Sequence, residues 1–315
     1  MTVAAVGDMI FDRQVKALIH AAGGEAPLAR VAEHLAAADY TCGNLESPLS
    51  DGGTRAKGKE ICFRGDPRGV AGLELAGFDA VSIANNHALD YGSEALDDTV
   101  AALDERGIAH SGAGADRDAA WAPAVTQVGS ATVAYLAFSH ILPPGFVAND
   151  TRAGIAQGRN NMDRVAAAVA SAAAEYDYVI VSFHWGIEYV DDANAEQVRD
   201  ARRAIDAGAD LVMAHHPHVL QGVERYKNGL IAYSLGDFVF DHYSRKTGEA
   251  FILDIELGPG GAGATAVTPV YLDQYGRPDV VTGQAASTIL KRLKSVSAKH
   301  DTEVVIDGDL ATVAQ

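Results

Sequence analysis

The chain has 315 residues, and 48% of them are apolar, enough for one large domain with a sizeable core. The formal net charge of −17 argues against nucleic acid as a partner, because phosphate backbones require lysine and arginine patches, and more mildly against long polyanions. No apolar run approaches the roughly 18–20 residues that span a bilayer, and no basic or apolar leader precedes Val3, so a cytoplasmic protein without a membrane anchor is expected.

In chain order, Val3–Val6 reads as a buried strand. Asp12–Ala22 and Pro27–Ala38 read as helices, the second with proline in its opening turn. Tyr40–Gly43 is a short strand, Pro67–Ala76 a helix and Asp79–Ala84 a strand. Ser93–Arg106 is a helix with serine at its N-cap and Gly107 at its end. Ala124–Val128 and Thr132–Phe138 form a hairpin around Gly129-Ser130. The irregular segment Leu142–Asn160 reads either as a lid or as a surface loop. Met162–Ala174 and Ala193–Ala207 are helices that alternate with strands Tyr178–Phe183 and Leu211–Ala214. From Val219 onward strands dominate, at Val219–Tyr226, Leu230–Ser234, Phe251–Leu257 and Ala264–Leu272, and Ala285–Ser297 is a closing helix. The glycine-rich stretch Gly258–Gly263 is a loop between two strands. Alternation followed by strands predicts one α/β sandwich over residues 1–315.

Five islands of metal-ligating residue types sit where these strands end: Gly7-Asp8, Gly43-Asn44-Leu45-Glu46, Asn85-Asn86-His87, His184-Trp185-Gly186 and His215-His216-Pro217-His218. Open α/β sheets place their ligands at such ends. Taken singly, Asp8 reads equally as a turn residue, Glu46 as a solvated carboxylate and Asn85-Asn86 as a turn. In an extended His-x-His, His216 and His218 point the same way and reach adjacent cations. Glu188, four residues after His184, is placed to orient an imidazole. Cys42 and Cys62 form no close pair, which excludes a thiolate site and a disulfide framework. Two carboxylates, one amide and three or four imidazoles exceed four ligands, which points to two divalent ions.

These segments resemble the capsule-synthesis (CapA) proteins of the poly-γ-glutamate type. The resemblance rests on Gly7–Arg13, Gly43–Leu49, Phe63–Pro67, Ala84–Gly92, His184–Tyr189, His215–Gly222 and Tyr233–Phe240, in the family's order from residue 3 to about 241. The strands and helix of residues 250–306 are similar to the family's C-terminal part. The resemblance implies a calcineurin-like metallophosphatase fold, a sandwich of mixed sheets flanked by helices. It implies that Asp8, Glu46 and His218 hold one metal and that Glu46, Asn86, His184 and His216 hold the other. Zinc and manganese are the expected metals. His87 matches the general acid, and Arg13 matches a residue that holds an anionic substrate group. Asn85, Glu188, His215 and Asp237 are expected to touch substrate or to support the ligands. The chain departs from the pattern at Met9-Ile10, where an Asp-x-His motif would supply another histidine. It departs again at Asp237, where many relatives carry asparagine. The implied function is a metal-dependent hydrolase of a γ-glutamyl-type amide or a phosphoester. The alternative is a non-catalytic assembly factor that binds an anionic polymer or a synthetase partner.

Overall fold

The computed structural model describes residues 1–314. In chain order the first strands are β1 (Thr2–Met9), β2 (Tyr40–Leu45), β3 (Ala80–Ser82), β4 (Ala109–Ser111), β5 (Ala113–Gly114) and β6 (Ala124–Val128). Next come β7 (Ala131–Ser139), β8 (Gly154–Ile155), β9 (Tyr178–His184), β10 (Leu211–His215), β11 (Val223–Tyr226) and β12 (Gly229–Ala232). The last are β13 (Asp237–Val239), β14 (Glu249–Gly258), β15 (Gly261–Leu272), β16 (Pro278–Val280), β17 (Val304–Asp307) and β18 (Leu310–Val313). The helices are α1 (Arg13–Ala22), α2 (Ala32–Leu35), α3 (Val70–Leu75), α4 (Gly92–Asp104), α5 (Arg117–Trp121), α6 (Met162–Glu175), α7 (Ala195–Asp206) and α8 (Gly283–Ser297).

Two mixed sheets face each other. One runs β17-β18-β15-β14-β1-β2-β3-β4, with β13 also on β1 and β16 on β15; the other runs β11-β12-β10-β9-β7-β6. Strand alternation builds the layers, because successive side chains point to opposite faces. In β1, Val3 and Ala5 enter the interior between the sheets, while Ala4 and Val6 join the outer cluster with Val15 and Ile19 of α1. In β9, Ile180 faces inward, while Val179, Val181 and Phe183 pack outward against Val165 and Val169 of α6 and Ala201 and Ala204 of α7. Ile289, Leu290 and Leu293 of α8 close the interior beside Val304 and Ala311. The α/β sandwich of mixed sheets expected from the sequence is therefore present. Among the described residues no helix is long and apolar enough to cross a membrane.

Local differences from the expected elements have simple causes. Pro27–Ala38 is not one helix. Leu28, Val31 and Leu35 are buried at helical spacing, but residues 25–31 form separate turns and only Ala32–Leu35 is helical. The segment Leu142–Asn160 is packed down: Phe146, Ala148, Ile155 and Ala156 are buried, and β8 pairs with β5. The Gly258–Gly263 loop tightens to a hairpin in which Gly258 faces Gly261. The short elements β4, β5, α5, β13 and β16–β18 carry too few residues to show a period.

β1 also runs further than the apolar stretch, through Asp8 to Met9. Gly7 therefore does not turn the chain. It lets β1 pass against the chain before β13, where Asp8 N–H donates to Gly236 O at 3.0 Å. A Cβ at Gly7 would lie 1.9 Å from that same carbonyl oxygen. Gly7→Ala must push the strands apart at the residue that positions Asp8. A loss of about 1–3 kcal/mol is expected, the range for overpacking, and thermal denaturation measures it. An unchanged melting temperature would show that the close approach is not required.

Candidate metal centre

The C-terminal ends of parallel strands from both sheets converge on one buried volume. Asp8 pairs in register with Asn44 of β2 and with Asp237 of β13. Across the interior, His184 of β9 pairs in register with His215 of β10. Asp8, Glu46 and His215 have no exposed surface, and His184, Asn86, His216 and His218 are also buried.

Asp8 is held on both oxygens. Asn44 Nδ2 donates to Oδ1 at 2.7 Å and the His216 N–H donates to Oδ2 at 2.9 Å. His215 Nδ1 lies 3.3 Å from Oδ1 and His218 Nδ1 lies 3.8 Å from Oδ2. Burial works against the Asp8 charge, but the His215 contact and the charges of His215 and His218 outweigh it and hold the carboxyl below its usual range. Glu46 is the opposite case. Both its oxygens are buried with no hydrogen-bond partner, while His184 Nε2 sits 3.3 Å and His218 Nε2 4.0 Å from Oε1. Burial, then the Asp8 charge, pushes Glu46 well above the usual carboxylate range.

Burial favours the neutral, ligating form of His184 and His216, whereas the carboxylates around His218 favour its charged form. His184 Nε2 meets Asn86 Oδ1 at 2.6 Å, and burial followed by the neighbouring histidines pushes it well below the usual histidine range. Burial brings His216 down to about 3, and its Nδ1 has no partner. His218 Nδ1 bonds Asp237 Oδ1 at 2.8 Å, which leaves Nε2 toward Glu46. Burial alone would lower His218, but Asp237, Glu46 and Asp8 raise it well above its usual value; burial pushes Asp237 itself to about 7.

The backbone carries strain here. His216 has φ 94° and His218 φ 55°, so the segment is not the extended His-x-His anticipated from the sequence. The two rings still converge on Glu46, because the chain coils around Pro217 instead of alternating. Glu188 does not orient His184. Gly186 at φ 90° turns the chain after β9, and Glu188 is exposed at the mouth of the cleft. Asn85 supports the scaffold: Nδ2 donates to Asn44 Oδ1 at 3.2 Å and Leu45 O at 2.8 Å, and Oδ1 accepts from the His87 N–H at 3.1 Å. Both His215 nitrogens lack partners beside Asp8. Arg13, at φ 52°, lies at the mouth, bonded to Asp241 at 3.3 Å and with its guanidinium 4.6 Å from the Phe63 ring centre.

His87 lines the same cleft and stacks on Phe63, ring centres 4.1 Å apart. Its Nδ1 is 2.5 Å from Asp90 Oδ2 and 2.9 Å from Lys59 Nζ, and the lysine also bonds Asp90. Burial brings His87 to about 4 despite Asp90. The sequence reading assigned no roles to Asn44, Lys59 and Asp90. Asn44 stands inside the Gly43–Glu46 island and Asp90 lies three residues after His87, so both were findable; Lys59 arrives from an irregular segment that has no period to read.

The donor set suits a divalent cation. Glu46, His216 and His218 each offer a ligand atom within 4.8 Å of the others, and so do Asp8, Glu46 and His184. Unsatisfied buried groups cost about 1–3 kcal/mol each, and here they include both Glu46 oxygens and His216 Nδ1. A cation would satisfy them together. Neither cysteine contributes: Cys42 lies in the interior against Met213, and Cys62 is half-buried at Lys59.

The profile of the bacterial capsule synthesis protein PGA_cap family matches residues 2–242. The capsule biosynthesis protein CapA of Bacillus anthracis is 32% identical over 287 residues, covering 90% of this chain and 70% of that protein. A probable polyglutamine synthesis accessory protein of Mycobacterium tuberculosis is 36% identical over 231 residues, covering 70% of this chain and 60% of that protein. Among solved structures, the sulfate thiohydrolase SoxB of Thermus thermophilus, in complex with glycerol, aligns with a TM-score of 0.42 at 16% identity. That alignment covers 83% of this chain and 43% of SoxB.

Removing Glu46 and removing Asp8 should have unequal consequences, because Glu46 faces three imidazoles and Asp8 is already satisfied by Asn44 and His216. Glu46→Ala should bind no divalent ion tightly, while Asp8→Ala should keep one. Elemental analysis after reconstitution checks the stoichiometry. Thermal shift checks affinity, since an ion at 100 times its Kd stabilises by about 2.7 kcal/mol. The opposite order of losses would overturn the assignment.

Proposed function

This chain belongs to the bacterial capsule synthesis protein PGA_cap family, and from that membership we propose that it is a metal-dependent hydrolase acting on a γ-glutamyl-type amide or a phosphoester. One observation carries the reading: the Glu46 carboxylate is fully buried, unpartnered and surrounded by histidines, beside a cleft lined by His87, whose Nδ1 is held by the buried Asp90. Asp8, Glu46 and His218 would hold one ion, and Glu46, Asn86, His184 and His216 the other, with zinc or manganese as the fitting metals. Bound there, such ions lower the pKa of water and polarise a carbonyl or phosphoryl oxygen.

The chain's own residues supply the rest. Asp90 at Nδ1 favours the charged ring, the form in which Nε2 can deliver a proton to the leaving group, and so works against the burial that lowers His87 to about 4. Asp237 fixes the His218 ring so that Nε2 points inward. Arg13, once released from Asp241, offers a planar cation to an anionic substrate group. The γ-glutamyl side of the proposal draws on relatives named for capsule biosynthesis and polyglutamine synthesis. That the Mycobacterium relative is called an accessory protein favours a second reading, in which the fold binds an anionic polymer or a synthetase without cutting any bond. Such binding needs no proton donor at the cleft, so His87 separates the two.

His87→Ala should keep its metal but lose turnover on poor leaving groups, by about 10²–10⁴-fold, the usual contribution of general acid catalysis. A nitrophenolate leaves without a proton, so nitrophenyl substrates should lose little. Turnover of γ-glutamyl amides, alkyl phosphates and nitrophenyl phosphates with added manganese or zinc measures both. Equal losses in a metal-replete variant would reject the acid role. No turnover by the unmodified protein on any of them would favour the assembly-factor reading.

A further inference from the structure

The cleft in front of His87 and His218 holds only about 60 Å³. Liquid water takes about 30 Å³ per molecule, so this space fits a couple of waters and no whole substrate. Beside it lies a hollow of about 360 Å³ lined by Tyr189, Val219, Tyr243, Ser244, Lys246 and Thr247. Tyr189, Tyr243 and Thr247 line both spaces, so the hollow continues the cleft. Its volume falls within the roughly 300–1,000 Å³ typical of ligand pockets.

Both tyrosines are held in place while their rings stay open. Tyr189 is 54% and Tyr243 69% exposed. Tyr189 has φ 64°, a left-handed conformation that is strained for a bulky residue, and its exposed ring recovers little of that by packing. Its N–H donates to Pro217 O at 2.8 Å, which ties it to the segment carrying His216 and His218. The Tyr243 hydroxyl accepts from Arg13 and donates to Asp241 Oδ2 at 3.1 Å, and its N–H donates to Thr247 Oγ1 at 3.2 Å. The one charged group of the hollow, Lys246, is bonded to Asp191 at 2.6 Å. The space therefore offers rings, an aliphatic floor at Val219 and no free charge. The hollow on the other side of Tyr243, lined also by Gln14, Asp241, His242, Gln274 and Tyr275, mixes polar and apolar groups.

We propose that Tyr189 and Tyr243 form a subsite for a neutral apolar group, a phenyl ring being the test case, attached next to the bond that is cut. The subsite rests on the metallohydrolase reading and narrows its substrate class to bonds flanked by such a group. Isothermal titration of the metal-loaded protein with phenylphosphonate and with methylphosphonate compares the same anion with and without the ring. The unmodified protein should bind the phenyl compound at least tenfold more tightly. In the Tyr189→Ala, Tyr243→Ala double variant that ratio should fall to near one. Equal affinities in the unmodified protein, or a preserved ratio in the variant, would overturn the proposal.

If neither phosphonate binds, the metal reading has failed and the subsite is judged by a second measurement. Saturation-transfer NMR of phenol with metal-free protein should show transfer that the double variant loses. Absence of transfer, or its survival in the variant, would overturn the subsite. Both rings are exposed, so their truncation leaves the core intact, which circular dichroism checks.

Discussion

Everything at the centre of this protein depends on one desolvated carboxylate. Glu46 is buried with both oxygens unpaired, within 4.0 Å of two imidazoles and near the charged Asp8. An isolated buried charge is among the most costly groups a fold can contain, so it must be neutralised or paired. Protonation would neutralise it but leave the surrounding histidines without a purpose. A cation would pair it and use their lone pairs together. The ends of β1, β2, β9 and β10 meet there because each brings one part of that ligand set.

The same place is where the backbone gives way. Among the described residues seven non-glycine residues have positive φ, and four of them lie at the site: Arg13, Tyr189, His216 and His218. Each such residue costs about 1–3 kcal/mol and persists only where its surroundings over-determine it. Here they do. The His216 N–H is claimed by Asp8, Pro217 O by Tyr189 and His218 Nδ1 by Asp237. Gly7 allows the β1 contact that fixes Asp8 from behind. Strain and close packing together hold ligand atoms that would otherwise turn toward water.

Much of this was legible in the sequence. The apolar runs Val3–Val6 and Tyr178–Phe183 mark buried strands, because each face packs against a different layer. The ligating types stand out because so few of them belong in a core. What stayed hidden follows from three-dimensional register. Asn44 matters because β2 pairs it with Asp8. Glu188 reads as a partner of His184 from its spacing alone; the turn at Gly186 sends it outward. Pro27–Ala38 has a helix's apolar spacing, and turns with the same spacing bury the same residues.

The most direct test is anomalous diffraction from crystals of the metal-reconstituted protein, collected at the absorption edge of the added ion. The account predicts a peak within roughly 2.0–2.2 Å of a Glu46 oxygen. With both sites filled, it predicts a second peak about 3.5–4 Å away that shares the same carboxylate. An ion bound elsewhere, or a Glu46 that stays without an ion after reconstitution, would contradict it.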